Sequence, residues 1–251
     1  MSIGFDVSDH VARITINRPD RMNAVDSAGQ RKLAEIFSEV ETNDAIRVAV
    51  LTGSGGKAFC AGADLKEDTG HSGLEYWAAR EANSFGGSKP VIARVNGLAL
   101  GGGLELVLGC DLVIAAESAR FGFPEAKVGR VPLDGGMVLL PRLIPRNIAL
   151  GMMFTGRMAS ASEMARHGLV NAVVPDDELD AETDKWVSDI ISCAPLSIGA
   201  IKATVRDTAH LPVQEAYAHK TPELVGALAS EDAQEGVLAF REKRAPNWKG
   251  R

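Results

Sequence analysis

Three consecutive glycines, Gly101, Gly102 and Gly103, separate a strand-like run from a helix-like run, and this junction limits the chain's folds more than any other feature. Residues 91–97 follow Pro90, are rich in branched side chains and read as a buried strand. LALGGG breaks that pattern, LELVLGCD restarts it as a short apolar helix ending near Asp111, and residues 112–117 read as a second strand. Glycines at such a turn mean that something approaches the backbone closely, or that a Cβ would clash. The first N–H groups of the helix have no intrahelical acceptor and sit at the positive end of its dipole, which suits an oxyanion.

Two carboxylates lie in poor company for a charge. Glu105 follows the last glycine by two positions and is flanked by Leu104, Leu106, Val107 and Leu108, and Glu125 follows Phe121, Phe123 and Pro124. In such settings a carboxyl pKa rises unless the group is paired. One alternative is that both glutamates pair with arginines such as Arg94 or Arg120. The other is that acids beside backbone donors serve enolate chemistry next to a carbonyl: amides hold the developing O⁻ and carboxyls move protons.

Around the junction, the chain alternates before it turns helical. Residues 3–7 and 11–16 read as a hairpin with a turn at Ser8-Asp9. Leu33, Ile36, Phe37 and Val40 recur at helical spacing after Asp26, and residues 48–53 form another apolar strand pattern. GSGGKAFCAGADL reads as a glycine-rich loop, with a helix expected near 74–85. Pro132, Pro141 and Pro145 punctuate a short helix, and Ser160 with Glu163 makes a capping box for a helix that Gly168 ends. Residues 169–174 read as the last strand, and 177–193, 196–209, 212–229 and 231–244 as helices. The expectation is an α/β core over 1–195 followed by a helical segment over 196–251.

Composition and failed motifs narrow the function. The 251 residues carry a net charge of −6, which gives a nucleic-acid partner no electrostatic support. The three cysteines have no metal-ligand spacing and suit a reducing compartment. No leader pattern and no membrane-length run is present, so a cytoplasmic protein with no membrane partner is expected. GGGLEL lacks the dinucleotide spacing, GSGGKA lacks the hydroxyl residue of a P-loop, and no HExxH or G-x-S-x-G occurs. No metal or redox cofactor is expected.

AFCAGADLK, KPVIARVNGLALGGGLEL, ARFGFPEAKVG, TGR, ASEMARHGLVNAVVP and AFREKR together resemble the crotonase superfamily, also called enoyl-CoA hydratase/isomerase, over nearly the whole chain. The resemblance implies a superhelix of ββα units with a helical C-terminal trimerisation segment, assembled as a trimer or a dimer of trimers. It implies an acyl-CoA thioester substrate, with coenzyme A entering as part of it. By position, the N–H groups of Ala63 and Gly102 match the oxyanion hole, and Glu105 and Glu125 the two catalytic glutamates of hydratases. Ala61, Asp64, Leu65 and Lys66 match the adenine and pantetheine path, Lys57 a position near phosphate, and Phe240 and Lys243 tail positions that complete the acyl pocket and reach the 3′-phosphate.

Family isomerases usually keep one of the two glutamates, so hydration of a 2-enoyl-CoA is the expected reaction and isomerisation an alternative. CAPLSIGAIKATVRDTAHLPVQEAY, SEDAQEG and NWKGR look closest to the carnitinyl-CoA dehydratase branch, a second alternative. Two positions depart from that branch: Ala63 replaces a bulky residue, and Pro132-Leu133-Asp134-Gly135-Gly136 replaces Pro-Asp-Ser-Gly-Gly. Asp134 reads as a turn residue before Gly135 or as an acid of the acyl pocket, and the turn reading is preferred.

Overall fold

The computed structural model describes residues 2–64 and 87–251. Leu65, Lys66 and the helix expected near 74–85 lie outside the described residues. β1 (Ile3–Ser8) and β2 (Val11–Ile16) form the expected antiparallel hairpin. Its turn is Asp9-His10, one residue later than expected, with φ of 49° and 69°. Positive φ at both central positions is the two-residue geometry that matches strand twist, and Asp tolerates it.

After α1 (Ser27–Thr42), whose first turn Asp26 caps by accepting the Gly29 N–H at 2.7 Å, the chain repeats one pattern. β3 (Val48–Gly53), β5 (Val91–Val95) and β7 (Leu112–Ala116) each lead through a short link into β4 (Ala58–Cys60), β6 (Leu98–Leu100) and β8 (Arg120–Gly122). The first strand of each pair joins a six-stranded sheet, β1-β2-β3-β5-β7-β10, which is parallel from β2 to β10 (Ala172–Val174). The second joins a four-stranded sheet, β4-β6-β8-β9, closed by β9 (Met158–Ser160) running antiparallel to β8. Helix α2 (Gly102–Leu108) returns the chain from β6 to β7, so the core is a superhelix of ββα turns.

The large sheet is buried on both faces, which is why its central strands read as unbroken apolar runs. Ala49, Leu51, Ala93, Val95, Val113 and Ala115 face one core, shared with Phe59, Leu104 and Phe121 of the second sheet and α2. Val48, Val50, Ile92 and Ile114 face the other, covered by Leu179 and Val187 of α6 (Leu179–Ile191).

Several boundaries differ from the sequence reading. β4 lies inside the stretch read as loop and β6 inside the stretch read as a break. The proline-punctuated helix is two, α3 (Gly136–Leu143) and α4 (Arg146–Thr155). The expected strand over 169–174 shortens to β10. Helix α5 (Ala161–Arg166) has half a capping box: Ser160 Oγ accepts the Glu163 N–H at 3.1 Å, but the Glu163 carboxylate turns to Arg157 at 2.6 Å.

Beyond α7 (Pro195–Thr208), the helix expected over 212–229 is interrupted. It forms α8 (Val213–Ala218) and α9 (Pro222–Ala229), because Thr221 caps a new start by accepting the Leu224 N–H at 3.1 Å and Pro222 occupies the first turn. α7 and α9 pack on each other, and α10 (Glu231–Glu242) follows. The tail folds back on α10: Asp232 accepts the N–H groups of Lys249 and Gly250 at 2.7 and 2.9 Å, and Glu231 N–H donates to Arg251 O at 2.8 Å. The Trp248 indole donates to Ser192 O at 2.7 Å. No helix among the described residues is long and apolar enough to cross a membrane.

Candidate active site

The glycine junction is where the two sheets' connections meet. Gly101 caps α2 with φ 54°, and a Cβ there would stand 2.7 Å from Glu125 Oε1. At Gly103 a Cβ would overlap the carbonyl of Cys60, so α2 packs backbone to backbone on β4. This contact carries the first N–H of α2 beside the turn after β4, where a Cβ on Gly62 (φ 97°) would lie 3.1 Å from Gly102 N.

Two backbone donors here lie outside the hydrogen-bond ladders of the described residues. Gly102 occupies the first helical position and has no intrahelical acceptor for its N–H. Ala63 pairs with Val25 in a parallel bridge whose two bonds use the Val25 N–H to Gly62 O, 2.9 Å, and the Asp64 N–H to Val25 O, 3.0 Å. That pattern turns the Ala63 N–H away from Val25. Ala63 and Gly102 line a cavity of about 250 Å³ whose wall also includes Leu106, Asp134 and, from α1, Leu33 and Phe37.

Glu105 is 3% exposed, and its Oε1 accepts the Gly136 N–H at 2.9 Å. Burial pushes its carboxyl up to about 7; the Gly136 N–H opposes this, and the charges of Asp134 and Glu125 add to it. Glu125 begins a 3-10 turn, Glu125–Val128, with Oε1 against Gly101. Its Oε2 is buried with no hydrogen-bond partner among the described residues. Burial raises its pKa, and the charge of Asp134 raises it further.

Pairing with Arg94 or Arg120 is overturned. Arg94 binds Asp180 at 2.7 Å and Thr52 Oγ1 at 3.2 Å, and Arg120 donates to the carbonyls of Glu117, Ser118 and Ala119. With no arginine among the described residues on either glutamate, burial leaves each carboxyl more easily protonated than an exposed one.

The raised pKa of Glu105 has a measurable sign. Between an unfolded value of about 4.5 and a folded value of about 7, the native state holds a proton that the unfolded state releases, so stability falls as pH rises through that window. Glu105→Gln removes the penalty while its amide oxygen still accepts from Gly136. The variant is expected to be more stable than the parent by about 3 kcal/mol at pH 8, at ~1.4 kcal/mol per pKa unit, with the gain vanishing below pH 4.5. Denaturant melts across pH check this.

The remaining sequence-selected residues are more dispersed. Asp64 is held by Arg18 at 2.9 Å, and the Ala61 N–H donates to Met22 O at 3.0 Å. Lys57, Phe240 and Lys243 are exposed and stand outside the described cavity wall. Asp134, read as a turn residue, lies in that wall. Gly136 was missed as a partner of Glu105; the only signal for it is the Gly135-Gly136 pair itself.

Comparison with known proteins gives the family. The enoyl-CoA hydratase/isomerase family model matches residues 6–251. The carnitinyl-CoA dehydratases of Shigella flexneri and Salmonella typhi are 41% and 42% identical, over 96% of this chain and 95% of theirs. The crystal structure of an enoyl-CoA hydratase from Bacillus anthracis superposes with a TM-score of 0.92 at 35% identity, covering 100% of both chains. That of the Mycobacterium tuberculosis enoyl-CoA hydratase gives 0.90 at 35% identity, covering 100% of this chain and 99% of the other. A crotonase fold, matched along nearly the whole length of the chain, places it in the enoyl-CoA hydratase/isomerase family.

Proposed function

We propose that the protein is an enoyl-CoA hydratase, adding water reversibly and syn across the double bond of a 2-enoyl-CoA thioester. The observation that carries this reading is the convergence of two carboxyls with raised pKa values beside a cavity whose wall holds Ala63 and Gly102. The thioester carbonyl accepts from the N–H groups of Ala63 and Gly102. Ionised Glu105 takes a proton from water as its oxygen bonds to C3, and the C2–C3 π electrons move to the carbonyl as an enolate. Protonated Glu125 then delivers its proton to C2. The backbone donors are fixed before reaction, so they stabilise the developing O⁻ without reorganising. Dehydration is the reverse path.

Coenzyme A would run past Ala61, Asp64, Leu65 and Lys66, with Lys57 near phosphate. Phe240 stands on α10 and Lys243 caps its C-terminus, both outside the described cavity wall, so a neighbouring protomer is the natural source of their contribution. We place oligomerisation in 196–251, as a trimer or a dimer of trimers. Support comes from apolar side chains left in water there, with Ile201 and Val205 each 65%, Leu228 75% and Phe240 85% exposed.

The test is hydration of but-2-enoyl-CoA, followed as loss of absorbance of the conjugated thioester. Turnover supports the reading, and inertness on short and medium chains counts against it. A second reading, the same chemistry on carnitinyl-CoA, is favoured by the 41–42% identity to the carnitinyl-CoA dehydratases.

A further inference from the structure

Asn23 is 1% exposed, more deeply buried than Glu105, and holds a φ of 56°. Every hydrogen-bonding position of its amide is used. Oδ1 accepts the Arg18 N–H at 3.0 Å and the Ser54 hydroxyl at 3.3 Å. Nδ2 donates to Ser54 O at 2.9 Å and to Ala58 O at 2.7 Å. Asparagine suits the position because its short polar side chain tolerates a left-handed backbone. Space is cleared for the amide by Gly53, where a Cβ would stand 2.7 Å from Asn23 Nδ2 and 2.5 Å from Ala58 O.

Ala58 opens β4, and four residues after it comes Gly62, then Ala63. The far end of this stretch is held by the neighbours of Asn23. Met22 O accepts the Ala61 N–H at 3.0 Å, the Val25 N–H donates to Gly62 O at 2.9 Å, and Val25 O accepts the Asp64 N–H at 3.0 Å. The Asn23 side chain thus grips the entry of the stretch while the backbone of 22–25 grips its exit. Asn96 Nδ2 reaches the same Ala58 O at 3.5 Å, the limit of a hydrogen bond, and has a nearer acceptor in Gly55 O. α2, which begins at Gly102, packs on β4 through Gly103 and Cys60. A shift of β4 therefore displaces Ala63 directly and Gly102 through that contact.

We propose that Asn23 is a positioning residue for the thioester oxygen site: it fixes β4 so that the N–H groups of Ala63 and Gly102 converge on one oxygen. This rests on the hydratase reading above, which assigns those two donors. Preorganised donors act through exact placement, so a small displacement weakens the enolate without emptying the cavity.

The test uses full-length protein and acetoacetyl-CoA, a 3-keto thioester of about the size of but-2-enoyl-CoA. Hydrogen bonds to the thioester oxygen favour its enolate, which absorbs in the near ultraviolet, so the enolisation constant of the saturated complex reads the donors and not the folded fraction. Asn23→Gly keeps the positive φ without strain and deletes the amide. It is expected to lower that constant at least about tenfold and kcat for but-2-enoyl-CoA by about 10²-fold. Asn23→Asp keeps the shape and both acceptor contacts but loses a donor, so it should fall between Asn23→Gly and the wild type. Thr183→Ala is the control: Thr183 is as buried and bonds Leu179 O at 2.7 Å, on the other face of the large sheet, and its loss should cost stability while leaving the constant unchanged. A wild-type constant in either Asn23 variant overturns the assignment and leaves the hydratase reading standing. A wild type that does not enolise the bound probe removes the donor pair and the role of Asn23 with it; if it also fails to hydrate but-2-enoyl-CoA, the hydratase reading falls too.

Discussion

Glu105→Gln and Glu125→Gln are each expected to lower kcat for enoyl-thioester hydration by about 10²- to 10⁴-fold, the usual contribution of a positioned proton-transfer group. Glutamine is the informative replacement because it preserves shape. The Gly136 N–H keeps an acceptor at position 105, and the packing against Gly101 is kept at position 125. What disappears is the ability to take or give a proton. KM should change little, since neither carboxyl is needed to hold coenzyme A. The double variant should cost much less than the product of the singles, because in the proposed mechanism both acids serve one event. Steady-state kinetics on but-2-enoyl-CoA decide the matter. Full turnover in Glu105→Gln would remove the two-acid mechanism and favour isomerisation through one acid.

Gly103→Ala is expected to be the most damaging glycine-to-alanine substitution among the described residues. Its Cβ would fall on the carbonyl of Cys60, a backbone atom of β4, so no side chain can rotate out of the way. Either α2 lifts from β4 or β4 bends, at a cost of about 3 kcal/mol, the upper end of ordinary overpacking. The activity should fall even where the protein remains folded, because the displaced element carries both Gly102 and Glu105. Gly56→Ala is the control: nothing lies within 4 Å of the position its Cβ would occupy, and its backbone needs no positive φ. It should change stability by less than about 0.5 kcal/mol. Urea denaturation of the two variants gives the comparison.

The sequence is readable where one element decides its own pattern. β3, β5 and β7 are buried on both faces, so they appear as apolar runs, and α1 announces itself through the Asp26 cap and its apolar stripe. Glu105 and Glu125 stand out because charge among hydrocarbon is rare. The second sheet does not stand out: β4, β6, β8 and β9 are three residues each, shorter than any period can register, and exist because neighbours present matching edges. The clamp on Glu105 comes from Gly136, thirty-one positions away, and no local pattern encodes that meeting. Arg94 misleads for the same reason, since its acceptor Asp180 is brought to it by α6, whereas Arg120 simply folds back on the carbonyls that precede it.

The tail folded onto α10 makes the chain's last residues a built-in peptide ligand. Asp232 grips the backbone of Lys249 and Gly250, and Arg251 O receives the Glu231 N–H, at the end of α10 opposite Phe240. A helix of 12 residues is ~18 Å long. Residues 249–251 are therefore held about one helix length from Phe240 and Lys243. Cutting the chain before Asn247 would strip α10 of its anchor and loosen the helix that presents both.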